Sequence, residues 1–135
     1  MFATARRGIN AYSRVGLEAG VETADPHQLV LMLYDGALYA LINAKRHMAQ
    51  REIAAKGKAI SKAIAIIEGG LLASLDIKAG GKLGERLAEL YDYMCYRLLQ
   101  ANLHNRPELL DEVSVLLTGL RDVWAQIRRP EKMAP

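Results

Sequence analysis

Hydrophobic positions recur at helical spacing over four long segments of the chain. Asp25 is a good helix N-cap, Pro26 suits the first helical position, and the pattern then continues to about residue 50. Further segments run from about residue 52 to 76, from 82 to 105, and from Pro107 to about residue 128. No segment alternates polar and apolar residues as a strand does. Long helices with short connections predict an all-α fold, an antiparallel up-and-down four-helix bundle.

Glycines interrupt this pattern at two places. Gly69 and Gly70 lie within the second helix, where their low helix propensity leads us to expect a bend. The sequence KAGGK at residues 78–82 predicts a turn before the third helix.

The N-terminal part of the chain is weakly patterned and contains three glycines. We therefore expect residues 1–24 to be a flexible segment with one short extra helix near residues 5–14. The bundle domain is predicted at residues 25–129, and residues 130–135 are predicted to be a tail.

Each helix has a main apolar stripe that is predicted to face the core. In the last helix the opposite side is polar. The other three helices carry a second apolar stripe on a different side. The main stripes include Leu33, Tyr34, Ile53, Ile60, Leu83, Tyr91, Leu98, Val123 and Ile127. The second stripes comprise Leu31, Leu38 and Ile42, then Ala59, Ala63 and Ile66, then Tyr96, Leu99 and Leu103.

A four-helix bundle has one interior, so the second stripes need another explanation. One is that they form apolar grooves that receive the amphipathic helices of a partner. The small residues of the second helix would then let another helix approach closely. The alternative is that the extra apolar residues lie at the edges of a wide core, since scattered exposed apolar side chains are normal.

Composition and charge narrow the class of protein. The formal net charge of +3 is far from the dense basic surface of nucleic-acid-binding proteins. Lys56, Lys58 and Lys62 have no aromatic residue between them and are interpreted as a solvated helix face. The single cysteine, Cys95, cannot form an internal disulfide, which favours a reducing compartment. Without a signal peptide or a membrane-spanning run, we expect a cytoplasmic protein that neither inserts in membranes nor binds nucleic acid.

Candidate catalytic groups are scattered. His27, His47 and His104 lie in different segments and are interpreted as solvated or helix-capping residues. Asp35 and Asp92 lie outside the main stripes and are expected to face solvent or to form local hydrogen bonds. No Glu-x-x-His pair of a di-metal bundle occurs in the sequence. We therefore expect no enzymatic activity, no metal and no cofactor.

Several short sequences together resemble a known family. In chain order they are AYSRV, DPHQLVLMLYDGAL, SKAIAII, SLD, GG, LYDYM, RLLQANL and VWAQI. From residue 11 to residue 127 the chain resembles the flagellar secretion chaperone family, FliS. The resemblance implies a helical bundle that binds the disordered C-terminal region of flagellin in the cytoplasm. It further implies that the chaperone prevents premature polymerisation and keeps flagellin competent for flagellar type III export, with components of the export apparatus as further partners.

The resemblance also gives the second stripes an occupant. In the family the cargo lies as helices on apolar grooves around the bundle, so the flagellin-binding residues are expected to be those of the second stripes. The family's N-terminal stretch can cover part of this surface, and Tyr12 is the expected lid residue. The alternative is a homodimeric structural or adaptor protein whose grooves are a dimer seam. The sequence does not separate the two, because both use the same surface.

Overall fold

Four α-helices and one π-helical segment make up the part of the chain that the structure describes. The structure is a computed structural model, and it describes residues 25–127, apart from the side chains of residues 77–79. The elements are α1 (Pro26–Ala49), α2 (Ile53–Ile66), the π-helical segment (Ile67–Leu72), α3 (Ile77–His104) and α4 (Pro107–Gln126). No strand occurs among these residues. The prediction of an all-α four-helix bundle is confirmed.

Three predictions concern residues outside this range. The extra N-terminal helix, the lid residue Tyr12 and the tail at residues 130–135 lie outside the described residues. The proposed division at residue 24 and the lid therefore stay predictions.

The helix ends follow from local chemistry. The Asp25 carboxylate accepts a hydrogen bond from the Gln28 backbone N–H at 2.9 Å, and Pro26 opens α1. Beyond the C-terminal ends of α1 and α3, Arg51 and Asn105 adopt φ angles of 59° and 51°, which reverse the chain. Pro107 then opens α4. The predicted starts of the first and last helices are thus confirmed.

Contacts between α1 and α4 show that these helices are antiparallel. His27, at the start of α1, stacks on Trp124 near the end of α4, with ring centroids 5.1 Å apart. Lys45, near the end of α1, binds Asp111 near the start of α4 at 2.9 Å. Helices that are adjacent in the sequence pack against each other, and α4 also packs against α1. Within the described residues the diagonal pairs α1–α3 and α2–α4 do not pack side by side.

The core combines residues from all four helices and the π-helical segment. Its fully buried side chains include Leu41, Ile60, Ile67, Leu71, Met94, Leu98, Leu110, Val113 and Leu117. The main stripes predicted this interior except at four positions, because Ile53, Leu83, Val123 and Ile127 are exposed. All four lie near a helix end or next to a helix break. Periodicity fixes the side on which a residue points, but near a helix end the neighbouring helix no longer extends far enough to cover it.

The second helix changes from an α-helix to a π-helix at the place where the sequence predicted a bend. The α-helix ends at Ile66 and the chain continues as the π-helical segment, which contains both Gly69 and Gly70. The Ala73 backbone N–H donates to the Glu68 carbonyl at 3.2 Å, the five-residue spacing of a π-turn. Glycine disfavours the α-helix, so a wider turn costs less at this pair than elsewhere.

The turn predicted at residues 78–82 is a break at Gly81, where φ is 58° and ψ is −137°. A side chain with a Cβ is strained in this conformation. We expect Gly81→Ala to lower the free energy of unfolding by about 1–3 kcal/mol. Gly80→Ala is the matched control, because no neighbouring atom lies within 4 Å of its added Cβ and its φ is not positive. Urea unfolding measures both, and equal stabilities would contradict the strain.

A pair of buried tyrosines crosses the centre of the bundle. The hydroxyl oxygens of Tyr34 in α1 and Tyr91 in α3 are 2.5 Å apart, so one hydroxyl donates to the other across the diagonal. Burial is the main cause that raises the pKa of both phenols above the ordinary value. For Tyr91, a negative charge on Tyr34 would raise the pKa further. Both hydroxyls therefore keep their protons to a higher pH in the folded protein than in the unfolded chain.

This pair predicts a loss of stability in alkali. Unfolded tyrosine releases its proton near pH 10, whereas the folded pair keeps it. The stabilisation is therefore complete below about pH 10 and declines as the pH rises above it. We expect Tyr34→Phe/Tyr91→Phe to flatten this decline, measured by urea unfolding from pH 8 to 11, while the exposed Tyr39→Phe should keep it. An unchanged slope in the double variant would contradict the assignment.

Candidate functional site

Two apolar surfaces remain uncovered by the described part of the chain. The α1 face consists of Leu31, Leu38 and Ile42, and the α3 face consists of Tyr96, Leu99 and Leu103. Ile42 is 64% exposed and Leu99 is 57% exposed, and the other two members of the α3 face are exposed as well. Leu31 and Leu38 are half-buried, and Leu38 packs against the core. The α3 face is thus an open apolar stripe, and the α1 face is open chiefly at Ile42.

The second stripe of α2 is not open. Ala63 and Ile66 are 0% and 4% exposed, so the prediction that they lie on an outer groove is wrong. The Ile66 Cδ1 atom lies 3.5 Å from the position of a Cβ on Gly36, which places this stripe against α1. Ala59 is half-buried beside Ala40. Small residues do let a helix approach closely here, but that helix is α1 of the same chain.

The two faces lie on opposite sides of the bundle. On α1, Ile42 follows Asp35 by two turns, and Asp35 binds Arg121 of α4 at 2.7 Å, so the α1 face borders α4. On α3, Arg97 binds Glu112 of α4 at 2.7 Å. Leu99 lies about 200° further around α3 than Arg97, so the α3 face borders α2. Because α1 and α3 are diagonal to each other, no single flat surface contacts both faces.

Tyr39 is an exposed residue that the second stripes did not include. It is 63% exposed and lines a shallow groove between α1 and α2. The groove is lined by Tyr39, Ala40, Asn43, His47, Ala55, Lys58, Ala59 and Lys62. Tyr39 precedes Ile42 by three residues, just as Tyr96 precedes Leu99. This shared spacing is the signal by which the sequence could have identified Tyr39.

Lys56 does not belong to a solvated face. It is buried, and its Nζ atom donates to the Asn102 carbonyl at 3.0 Å and to the Asn105 Oδ1 atom at 2.5 Å. These bonds tie the start of α2 to the end of α3 and satisfy the buried ammonium group. Lys58 and Lys62 are exposed, as predicted.

The candidate catalytic residues have structural partners. His27 Nε2 donates to the Trp124 carbonyl at 2.8 Å, while the indole N–H of Trp124 donates to the His27 carbonyl at 2.9 Å. His47 contacts Glu52. Asp35 forms an ion pair with another helix rather than a local bond. No group of three metal-ligating side chains comes together within residues 25–127.

The one cysteine is shielded rather than reactive. Burial raises the pKa of the Cys95 thiol to about 12, and the nearby charges of Glu68 and Asp92 raise it as well. A thiol with such a pKa stays protonated at neutral pH and is a poor nucleophile. Cys95 therefore acts as a small apolar residue of the core.

The chemistry that remains is binding by apolar contact. Full burial of one Leu or Ile side chain is worth about 1.5–3 kcal/mol. Several such contacts on two faces can hold a partner firmly without charged or covalent chemistry. None of the described helices is both long and apolar enough to span a membrane.

Comparisons with known proteins give a consistent picture. The sequence matches the family described as "Flagellar protein FliS" over residues 8–131. It is 50% identical over 120 residues to the flagellar secretion chaperone FliS of Salmonella typhimurium, covering 89% of each chain. It is 43% identical over 122 residues to that of Escherichia coli, covering 90% of each. With that of Bacillus subtilis it shares 33% identity over 112 residues, covering 83% of this chain and 82% of the relative.

Proposed function

The chain belongs to the FliS family of flagellar secretion chaperones, and from that premise we propose that it binds the disordered C-terminal region of flagellin. In the cytoplasm it prevents premature polymerisation of flagellin and keeps it competent for type III export. Components of the export apparatus then receive the complex. The observation that carries this proposal is the exposure of Ile42 and of the α3 face on opposite sides of one small bundle.

The separation of the two faces favours an unfolded guest. A rigid globular partner presents one contact surface, which reaches only one side of the bundle. A disordered segment follows the surface and folds into amphipathic helices as it binds. The buried apolar area then compensates for the entropy lost when the segment becomes ordered. Each apolar contact is non-directional, so binding of the flagellin segment does not require a precise chemical match at every position.

The mass of the complex in solution tests this proposal. We expect the purified chain to run as a monomer in size-exclusion chromatography with light scattering. Addition of the flagellin C-terminal region should convert it to a one-to-one complex. A stable dimer that ignores the flagellin fragment would contradict the proposal and support a homodimeric adaptor whose seam is the exposed apolar surface.

The N-terminal segment is proposed to act as a lid over part of this surface. Residues 1–24 enter α1 at Asp25, close to the contact between His27 and Trp124. If Tyr12 covers apolar area in the free protein, removal of residues 1–20 should speed association with the flagellin fragment severalfold. Stopped-flow fluorescence measures this rate. Unchanged association in the truncated chain would contradict the lid.

A further inference from the structure

The groove between α1 and α2 differs in character from the two apolar faces. Its rims carry polar and charged side chains, which include Tyr39 and Asn43 from α1 and Lys58 and Lys62 from α2. It opens between α1 and α2, whereas the α1 face borders α4 and the α3 face lies on the other side of α2. A partner bound in the α1–α2 groove therefore leaves both faces free.

The charge of the α1–α2 groove is positive and unbalanced. Lys58 and Lys62 are exposed and lie one turn apart on the same side of α2. Arg46 extends the positive strip along α1, because it follows Tyr39 by seven residues and so points to nearly the same side. Within residues 25–127 none of these three cations forms an ion pair. None of the described residues that line the groove carries a carboxylate, so these charges are available to a partner.

The floor of the α1–α2 groove is made largely of small residues. Ala40 is buried, and Ala55 and Ala59 are half-buried, which keeps the floor low. Small side chains let the backbone of another helix approach closely. Carboxylates four residues apart on such a helix are about 5–6 Å apart, which is also the spacing of lysines one turn apart on α2. The groove thus matches a helix that presents small residues to the floor and two carboxylates to the lysines.

The residues beside the lysines disfavour a lipid surface as the occupant. On this side of α2 the other exposed residues are Ala54, Ser61 and Ala65. None of them is large enough to enter a bilayer, and helices that bind membrane surfaces need bulky apolar residues as well as lysines. A bilayer is also flat, whereas the α1–α2 surface is concave. A protein helix therefore fits this surface better than a membrane does.

We propose that the α1–α2 groove is a docking site for an acidic helix of a second protein, separate from the surface that holds flagellin. Lys58 and Lys62 bind carboxylates one turn apart on that helix. Tyr39 covers its edge with an aromatic ring whose hydroxyl stays hydrated. The chaperone can then hold flagellin and the acidic helix at the same time. Attraction between the charges speeds association of the second protein and weakens as salt is added.

Two model peptides test this proposal. Both are alanine-rich helices of the same composition, with two glutamates four residues apart on one side in the first and on opposite sides in the second. Fluorescence anisotropy at low salt measures the binding of each peptide to the full chain. We expect the first peptide to bind about threefold tighter, because only its carboxylates reach both lysines at once. Equal affinities for the two peptides would overturn the proposal.

Charge reversal identifies the site of peptide binding. Lys58→Glu/Lys62→Glu should weaken binding of the first peptide about tenfold, since two attractions become repulsions. Lys82→Glu/Arg86→Glu is the matched control, because it reverses two exposed cations that are also one turn apart but lie on α3. This control should keep the affinity of the unmodified chain. The same loss in both double variants would show a response to net charge alone and would overturn the proposal.

A change in shape without a change in charge tests the floor of the groove. Ala55→Leu raises the floor and should weaken binding of the first peptide severalfold. Ala65→Leu adds the same side chain at an exposed position of α2 outside the lining and should leave binding unchanged. Circular dichroism verifies that both variants keep the helical fold. Unchanged binding in Ala55→Leu would mean that no helix enters the groove.

Competition separates this inference from the proposed function. The chain saturated with the flagellin C-terminal region should bind the first peptide as the free chain does. Displacement of the peptide by flagellin would overturn a separate docking site. Binding through Lys58 and Lys62 to vesicles of equal parts phosphatidylcholine and phosphatidylserine, without binding to the peptide, would identify a lipid site instead. If the unmodified chain fails to bind flagellin but binds the peptide, the proposed function fails and the docking site remains.

Discussion

Replacement of Ile42 and Leu99 together by glutamate should abolish capture of the flagellin C-terminal region and leave the fold intact. Both side chains are more than half exposed, so carboxylates at these positions remain hydrated in the free protein. In the complex they would lie under an apolar helix. Loss of two buried contacts at about 1.5–3 kcal/mol each predicts at least a hundredfold loss of affinity. Isothermal titration calorimetry measures the affinity, and circular dichroism measures the melting temperature.

Val115→Glu is the matched control for this variant. Val115 is an exposed apolar residue of α4, 72% exposed, and it belongs to neither face. We expect the Val115→Glu variant to bind flagellin as the unmodified chain does. If the double variant unfolds, the two residues are part of the core. If it still binds with unchanged affinity, the faces are not the flagellin site.

Replacement of Ala63 by glutamate should instead destabilise the fold strongly. Ala63 is completely buried, and its stripe on α2 packs against α1. A carboxylate there has no room and no partner, and an uncompensated buried charge costs about 3–5 kcal/mol. We expect the free energy of unfolding in urea to fall by this amount, which is a large fraction of the stability of a small domain.

Ala65→Glu provides the comparison on the same helix. Ala65 is exposed and two residues away, so its replacement should change the unfolding free energy by less than about 0.5 kcal/mol. If Ala63→Glu instead leaves stability unchanged and blocks flagellin binding, the stripe of Ala59, Ala63 and Ile66 is an open groove as the sequence first indicated.

The sequence predicted the helices well because their signals are local. The cap at Asp25, the prolines at the starts of α1 and α4, and the glycines near residue 81 each act within a turn or two of their own position. The main stripes also identified most of the core, since burial repeats with the helical period.

The neighbours of each stripe could not be predicted in this way. Periodicity showed that α2 has apolar residues on two sides, but a helix in a bundle packs against two neighbours as well as the core. The stripe with Ala63 and Ile66 faces α1, whereas the stripe with Leu99 has no helix against it within the described residues. Only the arrangement of the four helices separates these two cases.

The hydrophobic pattern of the sequence also did not reveal the polar contacts inside the bundle. Lys56 has the spacing of a surface lysine, yet its ammonium group donates hydrogen bonds to Asn102 and Asn105 at the C-terminal end of α3. The hydrogen bond of Tyr34 with Tyr91 likewise depends on two helices that are diagonal in the bundle. The repeat of the two Leu-Tyr-Asp segments is the one sequence feature that pairs these tyrosines.

We propose that an unfolded flagellin segment occupies both exposed faces at once. Methyl NMR on the chain labelled at isoleucine and leucine, titrated with the flagellin C-terminal region, tests it most directly. We predict large shifts at saturation for Ile42 and for Leu99, and small shifts for the buried Ile60 and Leu117. If a complex forms while the methyl resonances of Ile42 and Leu99 stay at their free positions, flagellin does not bind at these two faces.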